Sequence, residues 1–248
     1  MSESKTYPVP ASFAAQANIN ADEYTEMYRQ SVDSPETFWA EQAQNYISWF
    51  KPWKSVSSWS FGDDVHIKWF EGAELNVSYN CIDRHLETRG DQVAIIWESD
   101  DPNEARKITY SELHEEVCKF SNVLKDSGVK KGDCVSIYMP MLPEVAIAML
   151  ACTRIGAMHS VVFGGFSPDA LRDRILDSDC RVVVTADQSV RGGRRIPLKA
   201  NADEAVSGCP NVNTVIVIKR GGEPVDWNDH RDIWYHQAMD QASNQCDP

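Results

Sequence analysis

The sequence lacks the features that would make it a membrane or secreted protein. No apolar run approaches the ~20 residues that a membrane-spanning helix needs. The N-terminus is polar, and no apolar stretch after Lys5 resembles the core of a signal peptide. The dinucleotide pattern Gly-x-Gly-x-x-Gly and the phosphate-loop pattern Gly-x-x-x-x-Gly-Lys-Ser/Thr are both absent. These absences argue against a membrane protein and against a dinucleotide-dependent dehydrogenase.

Cysteine is present, but it follows no ligand or disulfide pattern. The seven cysteines are odd in number, none forms a Cys-x-x-Cys pair, and most lie among apolar residues. The six histidines show no metal-ligand spacing either. We therefore expect a cytoplasmic protein with reduced thiols, without a disulfide framework and without a metal site.

Composition and charge predict a soluble globular protein. The 248 residues are 42% hydrophobic and 25% charged, which is enough for one large domain or two small ones. The formal net charge is −13, and an acidic chain lacks the extended basic face that nonspecific nucleic-acid binding requires. We predict neither a nucleic-acid partner nor a membrane partner.

Residues 1–75 are predicted to form a helical, aromatic-rich N-terminal extension. Residues 1–20 are expected to be extended, Asp22 to cap a first helix, and Ser34-Pro35 to begin a second. Five of the eight tryptophans lie between Trp39 and Trp69. They could form a ligand platform, but we favour aromatics that pack this extension onto the main domain, because such docking segments have large areas to bury.

Residues 76–248 alternate between strand and helix patterns, which predicts an α/β fold with a mainly parallel sheet and helices on both faces. Helices are expected after caps at Asn76 or Ser78, Ser111, Ser167 and near Lys199, from Pro143 at a first helical position, and over His230–Met239. The predicted strands are Val93–Trp97, Lys107–Thr109, Cys134–Met139, Ser160–Phe163, Arg181–Thr185 and Thr214–Ile218. The last residues, Ser243–Pro248, are predicted to form an open loop.

Two loops follow adjacent predicted strands and should lie at the ligand-binding edge of the sheet. The first is Gly164-Gly165-Phe166. The second carries Arg191-Gly192-Gly193-Arg194-Arg195 within a stretch that has no acidic residue from Gln188 to Ala202. Together with Lys199 this makes a local charge of +4 in an acidic chain, and arginine forks match phosphate oxygens. A solvated basic loop that pairs with nearby carboxylates explains the same residues equally well.

Many motifs in order resemble the AMP-forming acetyl-CoA synthetases of the adenylate-forming acyl-CoA ligase superfamily. The resemblance runs from Trp53 to Lys199. It is carried by Leu75-Asn-Val-Ser-Tyr-Asn-Cys-Ile-Asp-Arg-His-Leu86, Gly90-Asp-Gln-Val-Ala-Ile-Ile-Trp-Glu98, Ile137-Tyr-Met-Pro-Met141, Ala148-Met-Leu-Ala-Cys152, Val161-Val-Phe-Gly-Gly-Phe-Ser-Pro168, and Arg191-Gly-Gly-Arg194 with Ile196-Pro-Leu-Lys199.

The resemblance implies ligation of acetate and coenzyme A through an acetyl-adenylate, with release of AMP and pyrophosphate. It implies that Arg191, Gly192, Gly193 and Arg194 hold the nucleotide end of coenzyme A, with both arginines on its 3′-phosphate. Phe163, Gly164 and Gly165 either flank the same nucleotide or are a core residue and a plain turn.

ATP and Mg2+ would be used by the full-length enzyme, but the family's Ser/Thr/Gly-rich phosphate loop is not in this sequence. We therefore interpret the chain as an N-terminal part, truncated before that loop, which carries no catalytic residue and is inactive without the remainder of its own chain. Propionyl-CoA and acetoacetyl-CoA synthetases are close alternatives, and a stand-alone coenzyme A or nucleotide-binding module is an alternative of a different class.

Other chemically suggestive residues have simpler explanations. Asp83-Arg84-His85 is expected to pair along a helix surface, and His159 to be a core histidine in a strand.

Overall fold

The computed structural model describes residues 6–248 and divides into two compact units, Met1–Leu75 and Asn76–Pro248. The expectation for residues 1–20 falls partly on residues 1–5, which lie outside the described residues. No helix among the described residues combines the length and apolar character that a bilayer crossing requires.

The first unit has the predicted N-terminal helices and, after them, a hairpin that the sequence analysis did not predict. Helices α1 (Ala11–Ala14), α2 (Ala21–Asp33) and α3 (Pro35–Tyr46) are followed by an antiparallel hairpin of β1 (Ser55–Ser60) and β2 (His66–Glu71). The sequence analysis missed these two strands among serine and aromatic residues. Aromatic and β-branched side chains nevertheless suit a half-buried pleated surface, as this hairpin shows.

The cap of α2 is Asn20 and not Asp22. The side chain of Asn20 accepts hydrogen bonds from the backbone N–H groups of Asp22 and Glu23, at 3.0 Å each. The Glu23 carboxylate in turn accepts from the Asn20 N–H at 2.9 Å, which completes a capping box.

Three aromatic rings form a cluster inside the first unit. The ring centroids of Trp49, Trp53 and Phe70 lie between 5.2 and 5.4 Å from one another. The indole of Trp49 donates to the carbonyl of Ala43 at the end of α3, at 3.0 Å. These contacts join α3 to the hairpin, while docking of the tryptophans onto the second unit stays a prediction.

The second unit is built on a five-stranded parallel sheet, as the alternating pattern predicts. Its strands, in spatial order, are β11 (Asp232–Trp234), β10 (Thr214–Ile218), β7 (Val182–Ala186), β5 (Cys134–Met139) and β6 (Met158–Phe163). Every residue of β7 and β10 is buried. Alternate residues of a strand point to opposite faces, so both faces of the sheet are covered. The elements are α4 (Val77–Cys81), a 3₁₀ turn (Asp83–His85), α5 (Leu86–Arg89), β3 (Val93–Glu98), β4 (Ala105–Thr109), α6 (Tyr110–Asp126), β5 (Cys134–Met139), α7 (Pro143–Arg154), β6 (Met158–Phe163), α8 (Pro168–Asp177), β7 (Val182–Ala186), β8 (Ser189–Arg191), β9 (Arg194–Ile196), α9 (Leu198–Ser207), β10 (Thr214–Ile218), β11 (Asp232–Trp234) and α10 (Tyr235–Gln241).

Two local predictions were wrong in this unit. Helix α6 is capped by Thr109, whose hydroxyl accepts from the Glu112 N–H at 3.2 Å while the Glu112 carboxylate accepts from the Thr109 N–H at 2.7 Å. This reciprocal pair fixes the start two residues before Ser111. The segment His230–Met239 is not one helix, because its first part forms β11 and pairs in parallel with β10.

The interpretation of Asp83 as a helix-surface partner was also wrong. Its carboxylate takes a two-fold hydrogen bond from the guanidinium of Arg154 on α7, at 2.8 and 2.9 Å, and lies 3.4 Å from the His114 imidazole. The Arg154 side chain is 2% exposed. Burial by itself raises the pKa of the Asp83 carboxyl, but the hydrogen bonds and charge of Arg154 outweigh it and lower that pKa below its usual value.

The segment Ser243–Pro248 has no helix or strand, as predicted, yet it is packed. The Nε of Arg154 donates to the carbonyl of Cys246 at 2.6 Å, and Cys246 is buried. The side-chain amide of Asn122 on α6 donates to the carbonyls of Ser243 and Gln245 at 2.8 and 3.0 Å. This segment is therefore held against α6 and α7 through its backbone carbonyls.

His159 is half-buried on β6, at the edge of the sheet, so its interpretation as a core histidine was wrong. His159 does lie in a strand, as predicted. In the described part of the chain, however, β6 has β5 as its one neighbouring strand, so His159 lies at the edge of the sheet and not in its centre.

We predict that Asp83→Ala destabilises the second unit by about 3–5 kcal/mol, because it leaves the buried Arg154 without its carboxylate. The measurement is urea unfolding, with Asp173→Ala on the exposed face of α8 as a control that should leave the midpoint nearly unchanged.

The lowered pKa of Asp83 means that its contribution to the free energy of unfolding is present above the ordinary aspartate pKa of about 3.9 and is lost as the pH falls below it. The gap between wild type and variant should therefore narrow on acidification; a gap that widens would contradict this account.

Candidate functional site

A cleft of about 300 Å³ lies at the carboxyl ends of the central strands. The loop after β6 contributes Phe163, Gly164 and Gly165, and the β8–β9 hairpin contributes Ser189, Val190 and Ile196. The loop after β6 and the strands of the β8–β9 hairpin therefore line one cleft, while Gly192, Gly193 and Arg194 at the end of the hairpin are not among its lining residues. This is the position at which open α/β sheets bind ligands.

The loop after β6 is held by a buried tyrosine. The hydroxyl of Tyr138 on β5 donates to the carbonyl of Phe166 at 2.8 Å. Gly164 is buried, and a Cβ at this position would lie 3.1 Å from the carbonyl oxygen of Met139. Close packing against β5 is therefore reason enough for this glycine. Phe163, in contrast, is 48% exposed and lines the cleft, so its interpretation as a core residue was wrong.

The arginine-rich segment is a short antiparallel hairpin, whereas the sequence predicted a loop. Strands β8 and β9 pair Arg191 with Arg194 and Val190 with Arg195. Gly192 and Gly193 form the turn with φ of +55° and +74°. A two-residue hairpin turn of this kind needs positive φ at both central residues, which glycine adopts without strain. The glycines thus follow from the turn itself, before any ligand is considered.

The four cations of the predicted basic patch do not act together. Arg195 is ion-paired with the Glu223 carboxylate, and Lys199 is 1% exposed and lies between the carboxylates of Asp203 and Asp232. Arg194 is exposed, and no carboxylate lies within salt-bridge distance of it among the described residues. The patch of +4 is therefore wrong as a surface feature, because Lys199 belongs to the core.

Lys199 belongs to a buried ion-pair network at the start of α9. Its ammonium lies 2.8 Å from carboxylate oxygens of Asp203 and Asp232, and Arg231 pairs with the same two carboxylates. Burial raises the pKa of the Asp232 carboxyl, but hydrogen bonds from Arg231 and Lys199 reverse the effect and lower it. The network connects α9 to β11 and so supports the sheet beneath the hairpin.

Asp187 joins the hairpin to the loop after β10. It directly precedes Gln188 at the foot of the hairpin and is 2% exposed. Its carboxylate accepts the backbone N–H groups of Gln188 at 2.7 Å, Arg220 at 2.8 Å, Gly221 at 3.0 Å and Gly222 at 2.8 Å. One side chain therefore fixes the backbone on two sides of the cleft.

The turn between β3 and β4 forms the opposite wall of the cleft. The indole of Trp97 donates to the carbonyl of Met141 at 2.7 Å, and the Arg220 guanidinium lies over its ring at 5.5 Å. The same guanidinium bonds both oxygens of Glu104, at 2.7 and 2.6 Å, and the Ser99 hydroxyl at 3.0 Å. This wall combines an apolar surface with a cation that is already neutralised.

The cleft offers binding groups rather than a catalytic set. Among residues 6–248, no group of three histidine, cysteine or acidic side chains is arranged to hold a metal ion. The residues that the structure describes therefore do not fit the Mg2+ that the resemblance implies for the full-length enzyme. Phe163, Gly164 and Gly165 line the cleft, whereas Gly192, Gly193 and Arg194 lie in the hairpin turn and are not among its lining residues. A cleft lined by a phenylalanine and a glycine turn can bind an aromatic group, and the exposed Arg194 of the neighbouring hairpin can bind a phosphate.

Two family profiles match the chain. The profile described as "AMP-binding enzyme" matches residues 82–248, and the profile described as "Acetyl-coenzyme A synthetase N-terminus" matches residues 24–81. The first match covers more than half of the chain, and the chain therefore belongs to the AMP-binding enzyme family.

Curated relatives of the chain include acetyl-coenzyme A synthetases. The proteins from Halorhodospira halophila and Magnetococcus marinus are 57% and 59% identical over 250 and 248 residues. The chain spans only 38% of the length of each of these relatives. A solved structure, acetoacetyl-CoA synthetase from Streptomyces lividans, matches 94% of the chain and 35% of its own length, with a TM-score of 0.80 and 25% identity.

Sequence reasoning missed the residues that hold the cleft together. Asp187 could have been suspected as the single acidic residue between a buried strand and the arginines. Asp100 and Arg220 gave no comparable signal, because their partners lie about 90 to 120 residues away in the chain.

We predict that Asp187→Asn destabilises the second unit by about 1.5–3 kcal/mol, because an amide NH2 group then faces backbone donors that the carboxylate accepted. Backbone N–H exchange at Arg220, Gly221 and Gly222 should become faster. Thr185→Val is the matched control, since the buried Thr185 hydroxyl has no hydrogen-bond partner to lose among the described residues. Equal effects of the two substitutions would contradict a specific role of the carboxylate.

Proposed function

We propose that this chain is the N-terminal part of an AMP-forming acetate–CoA ligase and that its cleft contributes the nucleotide end of the coenzyme A site. In the complete reaction, acetate and ATP form acetyl-adenylate and pyrophosphate, and the thiol of coenzyme A then displaces AMP. The phosphate loop that would bind ATP is not in this sequence. We therefore propose that the chain alone binds coenzyme A but does not catalyse adenylation.

The observation that carries the proposal is that the hairpin bearing Arg191 and Arg194 contributes its strand residues Ser189, Val190 and Ile196 to the same cleft as the Phe163–Gly165 loop. Position 191 lies opposite position 194 in the hairpin register, which brings two arginine positions together in a chain of net charge −13. Arginine presents a fixed fork of donors that matches a phosphate group. We assign Arg191 and Arg194 to the 3′-phosphate, and Phe163, Gly164 and Gly165 to the nucleotide beside it.

Acetate is favoured over larger acyl groups by overall similarity. The acetyl-coenzyme A synthetases named above are 57% and 59% identical to the chain, whereas the acetoacetyl-CoA synthetase is 25% identical. A cytoplasmic location stays a prediction.

We predict that the chain binds coenzyme A about ten- to a hundredfold more tightly than 3′-dephospho-coenzyme A, since a hydrogen bond to a charged group contributes about 1.5–3 kcal/mol. Arg191→Ala together with Arg194→Ala should abolish this preference. Isothermal titration calorimetry at fixed ionic strength measures both ligands. Arg195→Ala removes a cation of the same hairpin that is paired with Glu223, and it should reduce the preference less than the double substitution does.

The same double substitution separates the two half-reactions in a full-length ligase. The KM for coenzyme A should rise, while pyrophosphate release in the adenylation step stays nearly unchanged. Equal losses in both half-reactions, or a wild-type chain that does not distinguish the two ligands, would overturn the assignment.

A further inference from the structure

We propose that Asp100 is a positioning residue for the arginine hairpin, and that its carboxylate sets the backbone at the turn between positions 191 and 194, the two residues that we assign to the 3′-phosphate. The inference rests on the proposed function and goes beyond it, since Asp100 needs no contact with the ligand. In this proposal Asp100, an acidic residue beside an anion site, supports the binding of the phosphate and does not oppose it.

The contact itself joins two distant parts of the chain. Oδ2 of Asp100, in the turn between β3 and β4, accepts the backbone N–H of Gly192 at 3.0 Å. Gly192 is the first residue of the two-residue turn, with φ of +55°. In such a turn the ladder hydrogen bonds belong to the flanking residues, here Arg191 and Arg194. The central N–H groups need another acceptor, and Asp100 provides it for Gly192.

The hairpin needs such support because it is very short. Its strands β8 and β9 have three residues each. An isolated two-stranded hairpin is marginally stable in water. The foot of the hairpin is fixed by Asp187, and β9 is tied to Glu223 through Arg195. Asp100 supplies a contact at the turn itself, where the other two do not reach.

Asp100 is carried by an anchored turn and not by a free loop. The Ser99 N–H donates to the carbonyl of Glu104 at 3.0 Å, which closes the turn. The Arg220 guanidinium bonds Ser99 and Glu104 and lies over Trp97. The carboxylate of Asp100 is therefore presented from a fixed backbone, so its bond to Gly192 transmits position to the hairpin.

A positioning role and a purely electrostatic role have opposite consequences. A negative charge beside an anion site weakens binding of a phosphate, so its removal should tighten binding on Coulombic grounds alone. If Asp100 positions the hairpin, removal of its carboxylate should instead weaken the recognition of the 3′-phosphate. The sign of the change thus distinguishes the two roles.

The experiment compares Asp100→Ala, Asp100→Asn and Asp101→Ala in the whole chain. Asp101→Ala is the matched control, because it removes the same charge one residue away, and the Asp101 carboxylate accepts hydrogen bonds from Asn103 and from no other residue in the described part of the chain. Asp100→Asn removes the charge but keeps an oxygen that can accept from Gly192. Affinities for coenzyme A and 3′-dephospho-coenzyme A are measured by calorimetry, and hydrogen exchange at the Gly192 N–H by nuclear magnetic resonance.

We expect Asp100→Ala to reduce the preference for coenzyme A over its 3′-dephospho form about three- to tenfold. The Gly192 N–H should exchange faster in this variant. Asp101→Ala should leave both quantities unchanged, and Asp100→Asn should retain most of the wild-type preference. A change confined to the 3′-phosphate preference is one that general destabilisation would not produce.

The outcomes separate this inference from the proposed function. If the wild-type chain shows no preference for coenzyme A, the proposed function fails and the role of Asp100 at the ligand fails with it. If the wild type shows the preference and Asp100→Ala keeps or increases it, only the role of Asp100 is overturned. Unchanged Gly192 exchange in Asp100→Ala would overturn the positioning contact itself.

Discussion

The buried carboxylate of Asp187 is the contact on which the geometry of the cleft depends. Four backbone N–H groups converge on it, from the residue that begins the arginine hairpin and from the loop after β10. Each of these segments is irregular and would otherwise leave donors unsatisfied at the edge of a buried sheet. Because both segments share one acceptor, neither can move without disturbing the other. The hairpin and the Arg220 wall of the cleft are thereby held as one structure.

Charge pairing then decides which basic residues remain open to a ligand. Lys199, Arg154 and Arg231 are largely buried and have carboxylate partners, as buried charges require. Arg195 and Arg220 are paired at the edge of the cleft with Glu223 and Glu104. These cations stabilise the fold, although the sequence alone does not distinguish them from cations that are free to bind a ligand. Arg194, in contrast, is exposed, and no carboxylate among the described residues lies within salt-bridge distance of it.

Local patterns predicted the elements of the second unit well, because its strands are buried runs and its helices begin with clear signals. Ser167 with Pro168, and Pro143, start their helices where expected. The order of strands and helices along the chain and the presence of two loops at the carboxyl edge of the sheet were also predictable. Hairpins of three-residue strands, the pairing of β11 with β10, and the contacts of Asp83, Asp100 and Lys199 were not. Each depends on a partner or a register that no local window of sequence contains.

The glycines of the family motifs are weak evidence for a bound ligand. Gly164 packs against the carbonyl of Met139, and Gly192 and Gly193 adopt positive φ in a hairpin turn. These glycines have conformational reasons that hold in the absence of any bound molecule. A match at these positions supports the fold, whereas recognition of a phosphate has to come from side chains with donors. The proposed phosphate site therefore depends on Arg191 and Arg194, and on the carboxylates that hold their hairpin in place.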